Sequence, residues 1–174
     1  AFGLIFRTTD GGASWQPLLH ATENPKALHL YAVRSVGGET YIAGEQGLLL
    51  KLDRATGQFR ALELPYKGTL FGVIGNDRAL IVHGLRGTVL RSTDAGRSWQ
   101  TVNTGLQVGL TASSIDAQGR IVIVSQAGHV LVSRDDGASF ALAKTNKPAP
   151  AAAVAIVGPS SLVVGGPRGV SPLS

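Results

Sequence analysis

Three copies of one eight-residue pattern constrain this chain more than any other feature. Thr8-Thr9-Asp10-Gly11-Gly12-Ala13-Ser14-Trp15, Ser92-Thr93-Asp94-Ala95-Gly96-Arg97-Ser98-Trp99 and Ser133-Arg134-Asp135-Asp136-Gly137-Ala138-Ser139-Phe140 share the form Ser/Thr-x-Asp-x-Gly-x-Ser-Trp/Phe. A glycine stands seven residues before each Asp (Gly3, Gly87, Gly128), and Gly47 and Gly169 complete a ladder with steps of 44, 40, 41 and 41 residues. Between Gly47 and Gly87 the box decays to Leu52-Asp53-Arg54-Ala55-Thr56-Gly57-Gln58-Phe59, yet Phe59 keeps its place twelve residues after the glycine. A period of about 41 residues holding four short strand patterns is the size of a β-propeller blade.

Alternating apolar runs and turn residues give complete units at 29–36, 39–44, 48–52 and 59–64, at 70–75, 79–83, 88–92 and 98–103, and at 110–116, 120–125, 129–133 and 139–145. The chain opens on the third and fourth strands of a blade, 4–8 and 14–19, and ends on the first two of another, 152–157 and 162–166. The expected fold is all-β: one propeller domain or segment over residues 1–174, with about four four-stranded blades, three complete and two complementary half-blades at the ends. That makes about 16 strands and essentially no helix. Bare strand edges invite pairing, so the two halves are expected to close on each other or to associate with a second chain.

The box residues have a physical reason to recur. Asp10, Asp94 and Asp135 can accept hydrogen bonds across the turn, and Gly12, Gly96 and Gly137 supply a backbone conformation that other residues adopt reluctantly. Trp15, Trp99 and Phe140 can fold back over the hairpin and between blades, adding apolar burial where a propeller is shallow. Because these residues repeat at one offset, they read as structure; a catalytic centre needs one blade to differ from the rest.

Asp boxes occur in sialidases, sortilin-type receptors and other propellers, so the box alone specifies fold and not function. A longer signature, Gly-x-x-Gly-x-apolar-x-Arg-Ser-Thr-Asp-x-Gly-x-Ser-Trp, runs from Gly84 to Trp99 and is echoed from Gly3 to Trp15. It resembles the photosystem II stability/assembly factor family and its relatives in non-photosynthetic bacteria. The resemblance implies a seven-bladed, extracytoplasmic propeller, lumenal in thylakoids and periplasmic elsewhere, that assists assembly of membrane protein complexes without a catalytic centre. It also implies that this chain is a C-terminal piece. Nothing in the residues signals a photosystem client.

Enzymatic readings find little support. A sialidase needs an arginine triad, a Tyr/Glu nucleophile pair and an acid/base Asp. The Phe-Arg-Ile-Pro signature is absent, and the three tyrosines and four glutamates are confined to the first 66 residues without an evident pair. A non-catalytic glycan-binding propeller stays open as the alternative. His20, His29, His83 and His129 lack metal-ligand spacing, Asp135-Asp136 lacks a calcium-loop pattern, and Gly165-Gly166-Pro167-Arg168-Gly169 precedes no helix, so no metal, cofactor or phosphate is expected. With no cysteine, disulfides and thiol chemistry are excluded. The net charge of +5 comes without a Lys/Arg block of the kind that marks nucleic-acid binding, and no apolar run approaches a membrane span.

Propeller strands alternate in direction, so the turns between second and third strands share a face with the linkers between blades. Those turns carry Gln46, Arg86, Ala127 and Arg168, and the linkers carry Lys26, Lys67 and Lys147, with Glu23 and Glu45 nearby. The opposite face collects Asp10, Asp94, Asp135 and Asp136. One face is therefore expected to be basic, the other comparatively acidic, with the basic mouth suited to an acidic peptide segment or a protein C-terminus. Arg86 and Arg168 carry the sharper expectation, because a guanidinium fork binds a carboxylate in a two-point geometry.

Overall fold

In a computed structural model the described residues are 2–145 and 148–173. The ladder period sets the architecture. A two-stranded pair, β1 (Phe6–Arg7) and β2 (Gln16–Pro17), precedes three four-stranded antiparallel blades. Blade I is β3 (Leu30–Val36), β4 (Glu39–Gly44), β5 (Leu49–Asp53) and β6 (Gln58–Ala61). Blade II is β7 (Leu70–Gly75), β8 (Leu80–Gly84), β9 (Val89–Ser92) and β10 (Gln100–Thr101), and blade III is β11 (Leu110–Ile115), β12 (Ile121–Ser125), β13 (Val130–Ser133) and β14 (Ala141–Leu142). A three-stranded sheet follows: β15 (Ala153–Ile156), β16 (Leu162–Gly166) and β17 (Gly169–Leu173). The helical content consists of three short 3-10 turns among the described residues.

The core lies between blades. Along β8, Leu80 and Val82 pack towards blade I with Tyr41, Ala43 and Leu49, while Ile81 packs towards blade III with Ile121, Ile123 and Leu131. Period-two alternation thus sends successive side chains into different interfaces, which is why central strands read as unbroken apolar runs. At the start of the chain the same logic leaves a gap. Val33 is 57% exposed whereas Val73, at the same place in blade II, is 1% exposed, and Phe6 is 53% exposed against 2% for Leu90.

Two expectations about the ends need correction. The C-terminal sheet has a third strand, β17, paired to β16 from Gly166↔Gly169 to Leu162↔Leu173. It takes the third-strand place that β1 would need for closure, and among the described residues no strand pairing joins β1–β2 to β15–β17. The terminal sheets are therefore not complementary halves of one blade in this structure.

Each box forms the turn its composition implies. In the second, Ser92 Oγ donates to Asp94 Oδ1 (2.8 Å), and Asp94 accepts from the Ser98 N–H (2.8 Å) and Ser98 Oγ (2.6 Å). The Gly96 N–H donates back to Ser92 Oγ at 2.8 Å. The boxes at Asp10 and Asp135 repeat the pattern. The hydroxyls of Ser14 and Ser98 hold Asp10 and Asp94 well below the usual carboxylate range, and Ser139 holds Asp135 at about 2. Folded-state values below the ordinary 3.8 mean that this stabilisation is complete above about pH 4 and is lost as pH falls towards 2. Thermal melts of the wild type are expected to drop through that window. In Asp94→Asn, which cannot accept the Ser98 hydroxyl with a second carboxylate oxygen, the neutral-pH melting temperature falls and the acid slope becomes shallower. An unchanged slope would show that the boxes do not set the acid limit.

Candidate functional site

At the ends of second strands the chain makes two matching turns, Glu45–Gly47 and Leu85–Gly87. Gln46 (φ 54, ψ 32) and Arg86 (φ 58, ψ 32) sit in the left-handed region, and Gly47 and Gly87 follow at φ +74 and +71. The glycine N–H groups donate to the next linker, Gly47 to Gly68 O (2.8 Å) and Gly87 to Val108 O (2.7 Å). A Cβ on Gly47 would fall 2.1 Å from Tyr66 O, and one on Gly87 2.0 Å from Leu106 O. The ladder glycine thus exists because the turn presses on the backbone of the linker to the next blade. Its neighbour is held outwards: Gln46 and Arg86 are both exposed. A non-glycine residue there carries left-handed strain of about 1–2 kcal/mol, a cost typical of functional positions.

Arg168 occupies the corresponding turn between β16 and β17 and is exposed, but neither it nor Ala127 adopts the left-handed conformation. Lys26 and Lys67 lie exposed in the linkers of the same face; Lys147 lies outside the described residues. The nearby acids are turned onto backbone donors. Glu45 accepts the His29 N–H at 2.8 Å, with Tyr31 Oη at 3.4 Å, and Glu23 accepts the Ala61 N–H at 2.8 Å. Among the described residues no carboxylate forms an ion pair with Lys26, Lys67, Arg86 or Arg168.

On the opposite face Asp10, Asp94 and Asp135 accept from their own boxes and form no ion pair among the described residues, whereas Asp136 is paired across blades. Asp136 receives a fork from Arg78 of blade II (2.7 and 2.8 Å) and the Asn76 amide (2.8 Å), and Arg78 holds its carboxyl at about 2. Arg91, the arginine of the long signature, donates to Asp136 O at 2.8 Å, and Arg120 bridges Asp116 (2.9 Å) to the carbonyls of Gly158 (2.7 Å) and Pro159. Arg78, 58 residues from Asp136 in sequence, neutralises that carboxylate, and together with Arg91 and Arg120 it ties adjacent blades to one another.

First strands β3, β7, β11 and β15 face a concave cavity of about 400 Å³. His83 reaches it from β8, fully buried, with Nδ1 2.9 Å from Leu110 O and Nε2 2.9 Å from Ser113 Oγ. A carbonyl only accepts, so Nδ1 carries the proton and Nε2 accepts from the serine. The pair has the spacing of a nucleophile and its base, but burial pushes the imidazole down to about 4, and no carboxylate backs it. A base that weak takes up no second proton at neutral pH, and the contact acts as a polar tie between blades II and III. Gly165–Gly169 is a hairpin turn, and among the described residues no cluster of His, Asp or Glu could hold a metal ion.

The sequence profile described as photosynthesis system II assembly factor YCF48 matches residues 2–127. The chain belongs to this family. It is 26% identical over 138 residues to a photosystem II assembly lipoprotein Ycf48 of Synechococcus sp. (strain CC9902), covering 77% of this chain and 41% of that protein. Its fold is similar to a solved structure of YCF48 bound to D1 peptide (TM-score 0.68, 15% identity, 98% of this chain and 60% of that one). It is also similar to virginiamycin B lyase from Staphylococcus aureus (TM-score 0.76, 16% identity, 99% and 63%), a likeness of fold alone. The chain thus spans about half the length of these relatives. The Ycf48-family match includes Gln46, Arg86, Lys26 and Lys67 and stops before Arg168. No helix among the described residues is long and apolar enough to cross a membrane.

Proposed function

We propose that this chain is part of a non-enzymatic, extracytoplasmic assembly scaffold that binds an acidic peptide segment of a membrane protein complex at its linker face. The observation that carries the reading is Arg86: exposed, in a strained left-handed turn, and without a carboxylate partner among the described residues while nearby acids are engaged by backbone N–H groups. The left-handed backbone, shared with Gln46 at the matching turn, presents Arg86 at the surface of the linker face. Arg168 and the linker lysines extend the same positive surface. The description of one relative as bound to a D1 peptide supports a peptide ligand, and that of another as a lipoprotein supports an extracytoplasmic site. Family membership favours a peptide over the glycan that Asp boxes alone leave open.

The test is fluorescence anisotropy with a short labelled peptide of Asp, Glu, Gly and Ser ending in a free carboxylate. Arg86→Ala/Arg168→Ala, checked for an unchanged melting temperature, is expected to bind about tenfold more weakly and with a shallower salt dependence. Equal affinity and equal salt dependence would place the ligand elsewhere.

A further inference from the structure

The first strands of the complete blades share an irregularity at the linker end. Each pairing with the second strand shifts register once, between Leu30 and Ala32, between Leu70 and Gly72, and between Leu110 and Ala112. The extra residues are Tyr31, Phe71 and Thr111. A bulge re-aims the side chain it carries, and bulges gather beside functional sites. In blade III the position serves the fold, because Thr111 Oγ1 donates to Ala151 O at 2.6 Å and ties the blade to its neighbour. Blades I and II break the repeat with aromatic rings. Tyr31 and Phe71 meet edge to face at 5.5 Å between centroids, and Tyr31 is 47% exposed. Both line the concave cavity, and Leu85, beside Arg86 in its turn, is 37% exposed.

We infer that Tyr31 and Phe71 form an apolar shelf at the rim of the cavity that receives one aromatic or large aliphatic side chain of the acidic peptide, while the arginine turns hold its carboxylates. This rests on the basic-mouth reading above and adds a specificity to it. The occupant follows from what surrounds the shelf. Lys67, Arg86 and Lys26 on the same face call for an acidic chain, and the exposed Tyr31 ring against half-buried Phe71 inside a cationic rim rewards a ligand that carries an apolar residue among its acids.

Two labelled peptides decide it: the acidic peptide described above, and the same peptide with one central Ser replaced by Phe. Wild-type protein is expected to bind the Phe-containing peptide about tenfold more tightly. Phe71→Thr and Tyr31→Thr import the residue that blade III already uses at this position. They are expected to abolish that preference while leaving the affinity for the plain acidic peptide within about twofold, whereas Arg86→Ala weakens both peptides. If wild type binds both peptides equally, the shelf is wrong and the basic mouth stands. If neither binds, the basic mouth fails and the shelf with it. Should a variant melt early, the preference of the wild type between the two peptides still supports or overturns the shelf.

Discussion

Gly87→Ala is expected to destabilise the protein by about 3–4 kcal/mol, and Gly105→Ala by only about 1 kcal/mol. The two glycines have nearly the same backbone, φ +71 and φ +69. An L residue in that region costs about 1–2 kcal/mol, offset by about 0.4–1 kcal/mol because the unfolded chain loses freedom too. At Gly105 this is the whole effect, since nothing lies within 4 Å of an added Cβ. At Gly87 the new carbon would fall 2.0 Å from Leu106 O and 2.7 Å from its carbonyl carbon. Both are backbone atoms, so the linker must move and strain the bond from Gly87 N–H to Val108 O. Overpacking of that kind adds about 1–3 kcal/mol. Urea denaturation with an unchanged slope measures the difference. Equal losses at the two sites would remove the linker contact as the reason for the glycine ladder.

The ladder itself was legible in the sequence; its cause was not. Period, box and strand positions are local patterns, and the hydrogen bonds at Asp10, Asp94 and Asp135 follow from which atoms can reach each other within five residues. Tyr66 and Leu106, which enforce the glycines, lie about 20 residues downstream and meet them only after blades stack. A separation of 58 residues hid the pairing of Arg78 with Asp136, so counting charges by face treated as free an aspartate that the fold uses in an interblade clamp. β17 had a readable signal. Gly169 stands on the ladder, and the three complete blades each start a third strand two residues after the corresponding glycine. Without a box after it, the pattern gave no reason to extend the strand. Tyr31 and Phe71 also left a trace, aromatic residues where the next repeat has Thr111, but only the bulge shows that they line the cavity.

Trp99→Ala is expected to cost about 3 kcal/mol and Trp15→Ala less than about 1 kcal/mol, although the two residues end the same motif. Both rings lie near their box glycine, with Cζ2 3.5 Å from a Cβ built on Gly96 and 4.0 Å from one built on Gly12. What differs is the neighbouring blade. Trp99 packs with Leu62 against the core between blades I and II, whereas Trp15 is 58% exposed at the start of the chain. The Trp99 contribution is smaller than its size allows, because its Nε1 is buried without an acceptor among the described residues. A buried, unsatisfied donor costs about 1–3 kcal/mol. Trp99→Phe discards that donor, keeps a ring, and imports the residue that blade III uses at the same offset, where Phe140 packs against the core between blades II and III. It is therefore expected to stay within about 1 kcal/mol of wild type while Trp99→Ala does not. If Phe proves as damaging as Ala, the indole N–H has a partner in solution and the ring volume alone does not hold the interface.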